Sequence, residues 1–189
     1  IEILGVKTLN VTKTNIIEKG IGQVLLEYQF TSAINKYWGD INFNLILYST
    51  PPITFTNLIK HFKKKSPVKT YLLLKDIFPQ NAVDLGVLKK TGLEGLLYTF
   101  FRKKEKELYH ISDYIGCMSP ANVQYILKHN PEINPNRVEV APNSYNIPCN
   151  SDENTYSNIR QKYNLPANLP IFIYGGNMGK PQGIPFLIN

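Results

Sequence analysis

Along this chain, short apolar runs alternate with longer segments whose apolar positions recur at three and four residues. Ile21, Val24, Leu25, Tyr28 and Ser32 share one face at that spacing and predict a helix over 20–38. Phe43 to Tyr48 (FNLILY) is a continuous apolar run, the pattern of a strand buried on both faces of a parallel sheet. Ser49-Thr50-Pro51-Pro52 breaks it. A helix follows over 54–65, ending in Lys63-Lys64-Lys65, which suit a helix C-terminus. Val68 to Leu74 predicts the next strand, and 79–93 a loop with short helical turns. Over 94–111 a long helix is expected, with Leu97, Phe101, Leu108 and Ile111 as its apolar stripe.

The second half continues the alternation. Tyr114 to Met118 predicts a strand, and Ser119-Pro120 reads as an N-cap with proline at the first helical position of a helix reaching about His129. Val138 to Val140 predicts another strand, closed by Pro142-Asn143-Ser144. Residues 145–157 are polar and interrupted by proline, as in a linker. A short helix over 157–163 and a last strand, Ile171 to Tyr174, follow. The sum is an α/β chain with an open, mostly parallel sheet and helices on both faces. Ligands bind such sheets at the C-terminal strand ends, which here hold Ser49-Thr50-Pro51, Asp76, Ser119, Asn143 and the segment 175–180.

Composition narrows the picture. The 189 residues are 43% hydrophobic, enough for a sizeable core, and no apolar run reaches the ~20 residues that cross a bilayer. Residues 1–10 lack the basic start and cleavage pattern of a signal peptide, and no initiating Met is present, as in a processed or excised chain. The net charge of +7 sits in short patches, Lys63-Lys64-Lys65, Lys89-Lys90 and Arg102-Lys103-Lys104. They read as solvated helix faces, or as attraction to an anionic membrane, a phosphorylated substrate or nucleic acid. Cys117 and Cys149 have no metal-ligand spacing. Cys117 lies in a strand pattern and is expected as a buried free thiol, which points to a reducing compartment and makes the sequon Asn10-Val11-Thr12 accidental.

The chemistry concentrates in PIFIYGGNMGKPQGIPFLIN, residues 170–189. A strand, a glycine-rich turn and a helix start are the parts of an anion cradle, because glycines admit a phosphate to the backbone and a helix start offers free N–H groups. The spacing of Gly175 and Gly179 excludes a P-loop, and the adjacent Gly175-Gly176 excludes the dinucleotide fingerprint. A purely structural connection is the plain alternative; Lys180 beside the glycines favours a phosphate or pyrophosphate. Asp76 reads as a turn or cap residue or as a cleft residue that orients acceptor or donor, and Asn143 as a turn former. His61, His110 and His129 fall on helix faces or ends rather than strand ends, and no nucleophile elbow is present.

The segment FIYGGNMGKPQGIPFLI resembles the opening of the second domain in retaining, sugar-nucleotide-dependent glycosyltransferases of family 4. In that family a Gly-Arg and a later Lys bind the donor diphosphate. Here Asn177 and Gln182 stand at those places, as in a subgroup with a Gly-Asn-hydrophobic-Gly-Lys-x-Gln-Gly turn, leaving Lys180 as the cation. Leu74-Lys75-Asp76-Ile77-Phe78-Pro79 is similar to the family's Asp-aromatic-Pro cleft segment, and Arg102-Lys103-Lys104-Glu105 through Ser112-Asp113 to its long helix before a strand and Ser. VEVAPNS, residues 138–144, resembles its strand and Pro-Asn turn. The resemblance spans roughly 40–189.

It implies a Rossmann-like, partial GT-B architecture. Residues 1–148 would be an acceptor-side domain lacking its first strand, and 149–189 the linker and opening of a donor-binding domain. A Glu-x7-Glu segment holding the donor is expected beyond Asn189, so the 189 residues alone are expected to be inactive, an expectation that sugar transfer by the purified chain would disprove. The implied reaction moves a sugar from a nucleotide-diphosphate sugar to a glycan or lipid-linked acceptor, as in surface polysaccharide or glycolipid synthesis. The donor is a co-substrate, with no cofactor, metal or nucleic acid implied. The implied residues are Gly176, Asn177, Lys180, Gln182 and Gly183 for the diphosphate, Asp76 in the cleft, and Ser119 and Asn143 at its edge. The location implied is the cytoplasm or the inner face of the membrane, with peripheral contact to anionic lipid. Two other readings stand beside it: a stand-alone nucleotide- or polyanion-binding α/β module, and a small flavodoxin-like domain in which 170–175 pair with the main sheet.

Overall fold

The computed structural model describes residues 2–8, 16–145, 159–179 and 182–188; in the first helix, side chains are described from Leu25 onward. The chain divides into two compact units, Ile1–Pro142 and Asn143–Asn189. The first is an α/β unit with a four-stranded, all-parallel open sheet flanked by helices, consistent with a Rossmann-like fold.

Its elements are α1 (Ile16–Trp38), β1 (Leu45–Thr50), α2 (Thr56–Lys65), β2 (Lys69–Leu74), α3 (Gln80–Asp84), α4 (Gly92–Ile111), β3 (Tyr114–Cys117), α5 (Pro120–His129), a 3-10 turn Pro135–Arg137 and β4 (Val138–Val140). The strands lie in the order β1-β2-β3-β4. Leu72 pairs with Tyr48 on one side and Ile115 on the other, and Ile115 pairs with Val138. This register sets Leu72, Leu74, Ile115 and Cys117 on one face, where they form the main core with Leu108 and Tyr109 of α4 and Ile126 of α5. Leu58 and Phe62 of α2 with Val68 make a second cluster, flanked by Phe30 and Ile34 of α1 and Ile46 of β1. Burying a Leu- or Phe-sized side chain contributes roughly 1.5–3 kcal/mol.

Two expectations change. The apolar run 43–48 is not buried on both faces, since Leu45 and Leu47 are 57% and 60% exposed. β1 is the edge strand of the described sheet, and its free side borders an apolar groove of about 430 Å³ beneath Phe30, Ile34 and Trp38 of α1. Of the expected face of α1, Leu25 and Tyr28 are exposed, while Phe30 and Ile34 pack toward α2. The helix carries two apolar stripes, and the aromatic partner Phe55, 5.3 Å from Phe30 between ring centroids, selects the second.

Two contacts hold the helix starts. Ser119 caps α5 as expected, its Oγ accepting from the Asn122 N–H at 3.2 Å and donating to Asn122 Oδ1 at 3.1 Å. α2 has no side-chain cap of its own. Glu27 of α1 supplies it, accepting from the Leu58 N–H at 2.8 Å and from Asn57 Nδ2 at 3.0 Å. A carboxylate there also meets the positive end of the helix dipole. Glu27→Ala is expected to lower unfolding stability by about 1 kcal/mol, with urea titration as the check.

Cys117 is fully buried and free, and burial pushes its thiol up to about 11. In a Cys149→Ser chain, Cys117 is expected to resist an aromatic disulfide reagent at pH 8 until denaturant is added. Fast labelling of the folded protein contradicts this. Cys149 itself, the sequon at Asn10 and most of the expected linker lie outside the described residues.

The second unit holds two short helices, α6 (Ile159–Lys162) and α7 (Ile184–Ile188). Residues 171–174 form no strand, and Phe172 and Ile173 are exposed. A strand is stable only with a neighbour to take its backbone hydrogen bonds, and the described residues of this unit provide none. Residues 170–175 are not a strand of the main sheet either, so the flavodoxin-like reading fails.

Candidate active site

The C-terminal ends of β2 and β3 open on a cavity of about 400 Å³. Lys75, Asp76 and Ile77 line it from the loop after β2, and Gln80, Asn81 and Asp84 from α3. Ala121, Asn122 and Tyr125 line it from the first turns of α5. This is where a parallel sheet places ligands, because the loops leaving successive strands converge there.

Asp76 lines this cavity, and its backbone is held from β1. Thr50 is almost wholly buried, and its Oγ1 donates to the Asp76 carbonyl at 3.2 Å. The loop is also anchored by Phe78, whose ring meets Phe101 of α4 edge-on at 5.0 Å. Asp76 itself is an exposed residue. Ser119 does not line the cavity: its hydroxyl is engaged with Asn122, which does. Ser119 therefore positions a lining residue.

Three lining groups were not legible in the sequence. Asn81 Oδ1 is buried and has no hydrogen-bond partner among the described residues. Asn122 enters through the turn its cap creates. Tyr125 stacks on His129 with centroids 3.9 Å apart, and burial raises its hydroxyl pKa from the usual value, so it stays a neutral donor. Gln80 Nε2 donates to Asp84 Oδ1 at 2.6 Å, which fixes that side of the mouth. The lining thus combines amides, carboxylates, one lysine and an aromatic ring. Amides donate and accept, carboxylates accept, and a ring offers a flat apolar face. No group of His, Cys, Asp and Glu among the described residues has the arrangement of a metal site.

The other predicted residues belong to the second unit. Asn143 is exposed at its start. Gly176 and Asn177 lie in an exposed turn closed by Tyr174, whose hydroxyl donates to the Asn177 carbonyl at 2.6 Å. Gln182 N–H donates to the Gly179 carbonyl at 3.1 Å, and Gly183 takes a φ of +61°, a left-handed turn that suits glycine, before α7. Lys180, the expected cation, lies outside the described residues. None of the three histidines stands at a strand end: His61 is in α2, His110 in α4, and His129 ends α5.

No protein-family model matches the chain, and no curated protein is significantly similar to it.

Proposed function

We propose that the chain is the acceptor side, with the opening of the donor side, of a glycosyltransferase that moves a sugar from a nucleotide-diphosphate sugar to a glycan or lipid-linked acceptor. The observation that carries this reading is the cavity at the ends of β2 and β3. Its amides and carboxylates match a hydroxyl-rich ligand. Asp76 is the candidate to orient the acceptor. On the donor side, Gly176, Asn177, Gln182 and Gly183 with Lys180 are the candidates for the diphosphate. Cationic and N–H groups there would stabilise the departing diphosphate, the charge that grows as the glycosidic bond forms. The donor is a co-substrate that carries its own leaving group.

Binding measurements test the reading. Saturation-transfer NMR with a panel of mono- and disaccharides is expected to show contact with the chain. Asn81→Leu, which removes an amide from the cavity lining, is expected to weaken it about tenfold, the value of one hydrogen bond with its desolvation, without lowering the thermal midpoint. Tight binding of oligonucleotides with a steep salt slope, and no response to any sugar, would favour a polyanion-binding module instead.

A further inference from the structure

The two edges of the described sheet differ in kind. β4 is three residues long and carries Glu139, a charge that discourages further pairing. β1 is six residues long, LILYST, and no residue from Ile41 to Ile59 is charged, although the chain carries +7. Edge strands that stay single are commonly short or bear charges, prolines or bulges. Beside the free edge of β1 runs the apolar groove beneath Phe30, Ile34 and Trp38 of α1, and its lining holds no ionisable side chain. Leu45 and Leu47 line it and are more than half exposed. An edge strand offers a row of backbone N–H and C=O groups, which an extended strand can take up and a helix cannot. The other strand-like runs of the described chain do not take it, since residues 2–8 and 171–174 form no strand.

We infer that β1 is the contact of a homodimer, in which two copies pair their β1 strands antiparallel about a two-fold axis and join their sheets into one. Antiparallel edge pairing is self-complementary, because the same residues serve both sides, as a two-fold axis requires. The axis stands normal to the sheet and keeps each face on its own side. Ile46 and Tyr48 of the second copy then enter the groove beneath α1, and Leu45 and Leu47 of the two copies meet on the opposite face. Charge selects this occupant and this surface. With no charge over 41–59, two copies of a basic chain meet here without repulsion, whereas a charged segment would find no counter-charge in the groove. The other exposed apolar row does not suit a second copy. Its spacing predicts a buried place for Leu97, yet α4 turns Leu93, Leu96, Leu97 and Phe100 outward, with Lys89 and Lys90 at one end and Lys103 and Lys104 at the other. Pairing α4 with itself sets lysines against lysines. The dimer rests on the sheet edge and does not depend on the sugar-transfer reading.

Sedimentation equilibrium of the 189-residue chain tests it. A dimer that dissociates on dilution is expected. Leu45→Lys with Leu47→Lys is expected to weaken it more than about a hundredfold, since two apolar side chains per copy lose their burial and like charges face each other. Both positions are exposed in the single chain, so the circular dichroism spectrum is expected to be kept. Leu45→Glu with Leu47→Glu is expected to be monomeric alone, and mixing the two double variants to restore a one-to-one dimer. Hydrogen exchange on the unsubstituted chain gives a second readout: the β1 amides are expected to slow as concentration rises, and the β4 amides to stay constant. Three results overturn the inference: a monomer at every concentration, as when another strand takes the edge; a dimer that the lysine variant leaves intact; or no association when the lysine and glutamate variants are mixed.

Discussion

Arg102→Met is expected to cost about 3–5 kcal/mol of unfolding stability, because it leaves a buried carboxylate without its counter-charge. Glu105 is only 3% exposed, and Arg102 donates to its Oε2 at 2.5 Å. Tyr109, held neutral by burial, donates to Oε1 at 2.6 Å. Burial still dominates and raises the Glu105 pKa above its usual 4.5, with Tyr109 and Arg102 opposing it. Removing the guanidinium raises it further. A raised carboxylate pKa means that the folded state holds the proton more tightly. The stability linked to Glu105 is therefore full below the unfolded pKa and is lost as pH rises through the folded one. The variant is expected to be least impaired in mild acid and most impaired at neutral pH. Urea titrations at pH 4.5 and 7.5 check this, and an equal loss at both contradicts it. The same arginine reaches α5, donating to the His129 carbonyl at 2.9 Å and to the buried Asn130 Oδ1 at 2.7 Å. Since α5 carries Asn122 and Tyr125, the variant is also expected to loosen the cavity at the strand ends.

The second large effect has the opposite pH sign. Asp113 begins β3 by gathering three elements. Its Oδ2 accepts from the Thr70 N–H at 2.9 Å and from Thr70 Oγ1 at 2.8 Å, and lies 2.8 Å from Lys63 Nζ. Partial burial is the largest single influence and opposes its ionisation. The hydrogen bonds from Lys63 and Thr70, with the Lys63 charge, outweigh it and hold the carboxyl at about 2 rather than 3.8. The stability it contributes is present above pH 4 and lost as pH falls through about 2. That shift corresponds to about 2 kcal/mol, reduced to about 1–2 by solvent access to the side chain. Asp113→Asn is expected to lose about 2–3 kcal/mol at pH 7, counting the hydrogen-bond geometry at Thr70. Its stability is expected to decline less between pH 4 and 2 than that of the unsubstituted protein. A parallel decline in both would remove Asp113 as the cause.

These two networks show what the amino-acid pattern carries and what it does not. Ser119-Pro120 was legible because a cap is a local device, fixed by residues three apart. The strand ends were legible for the same reason, and with them the position of Asp76 just after β2. Glu105 was not, since a charged residue inside a helix reads as solvent-facing until a neighbouring helix covers it. Glu27 was not, because it caps a helix about thirty residues away in sequence. The stripe of α4 shows the ambiguity of periodicity itself: the spacing marks apolar rows, but which row meets the core depends on the neighbours. Asn81, Asn122 and Tyr125 come together only through the placement of α3 beside α5. The glycine turn was legible as a turn, and Gly183 adopts one, while its expected strand lacks the neighbour a strand needs.

In the four-stranded sheet each strand lies beside the one made just before it. Every pairing can therefore form as soon as the next strand leaves the ribosome, with no need to hold an edge open for a distant segment. Parallel sheets generally fold slowly because their contacts close long loops. Here each closure spans a single strand-to-strand connection, repeated in one direction from β1 to β4. Assembly during synthesis can advance like a ratchet, with the α4 and α5 crossovers closing over each new pair. On this account, a chain stalled after β3 is already largely ordered, and pulse proteolysis of stalled nascent chains would show protection growing strand by strand.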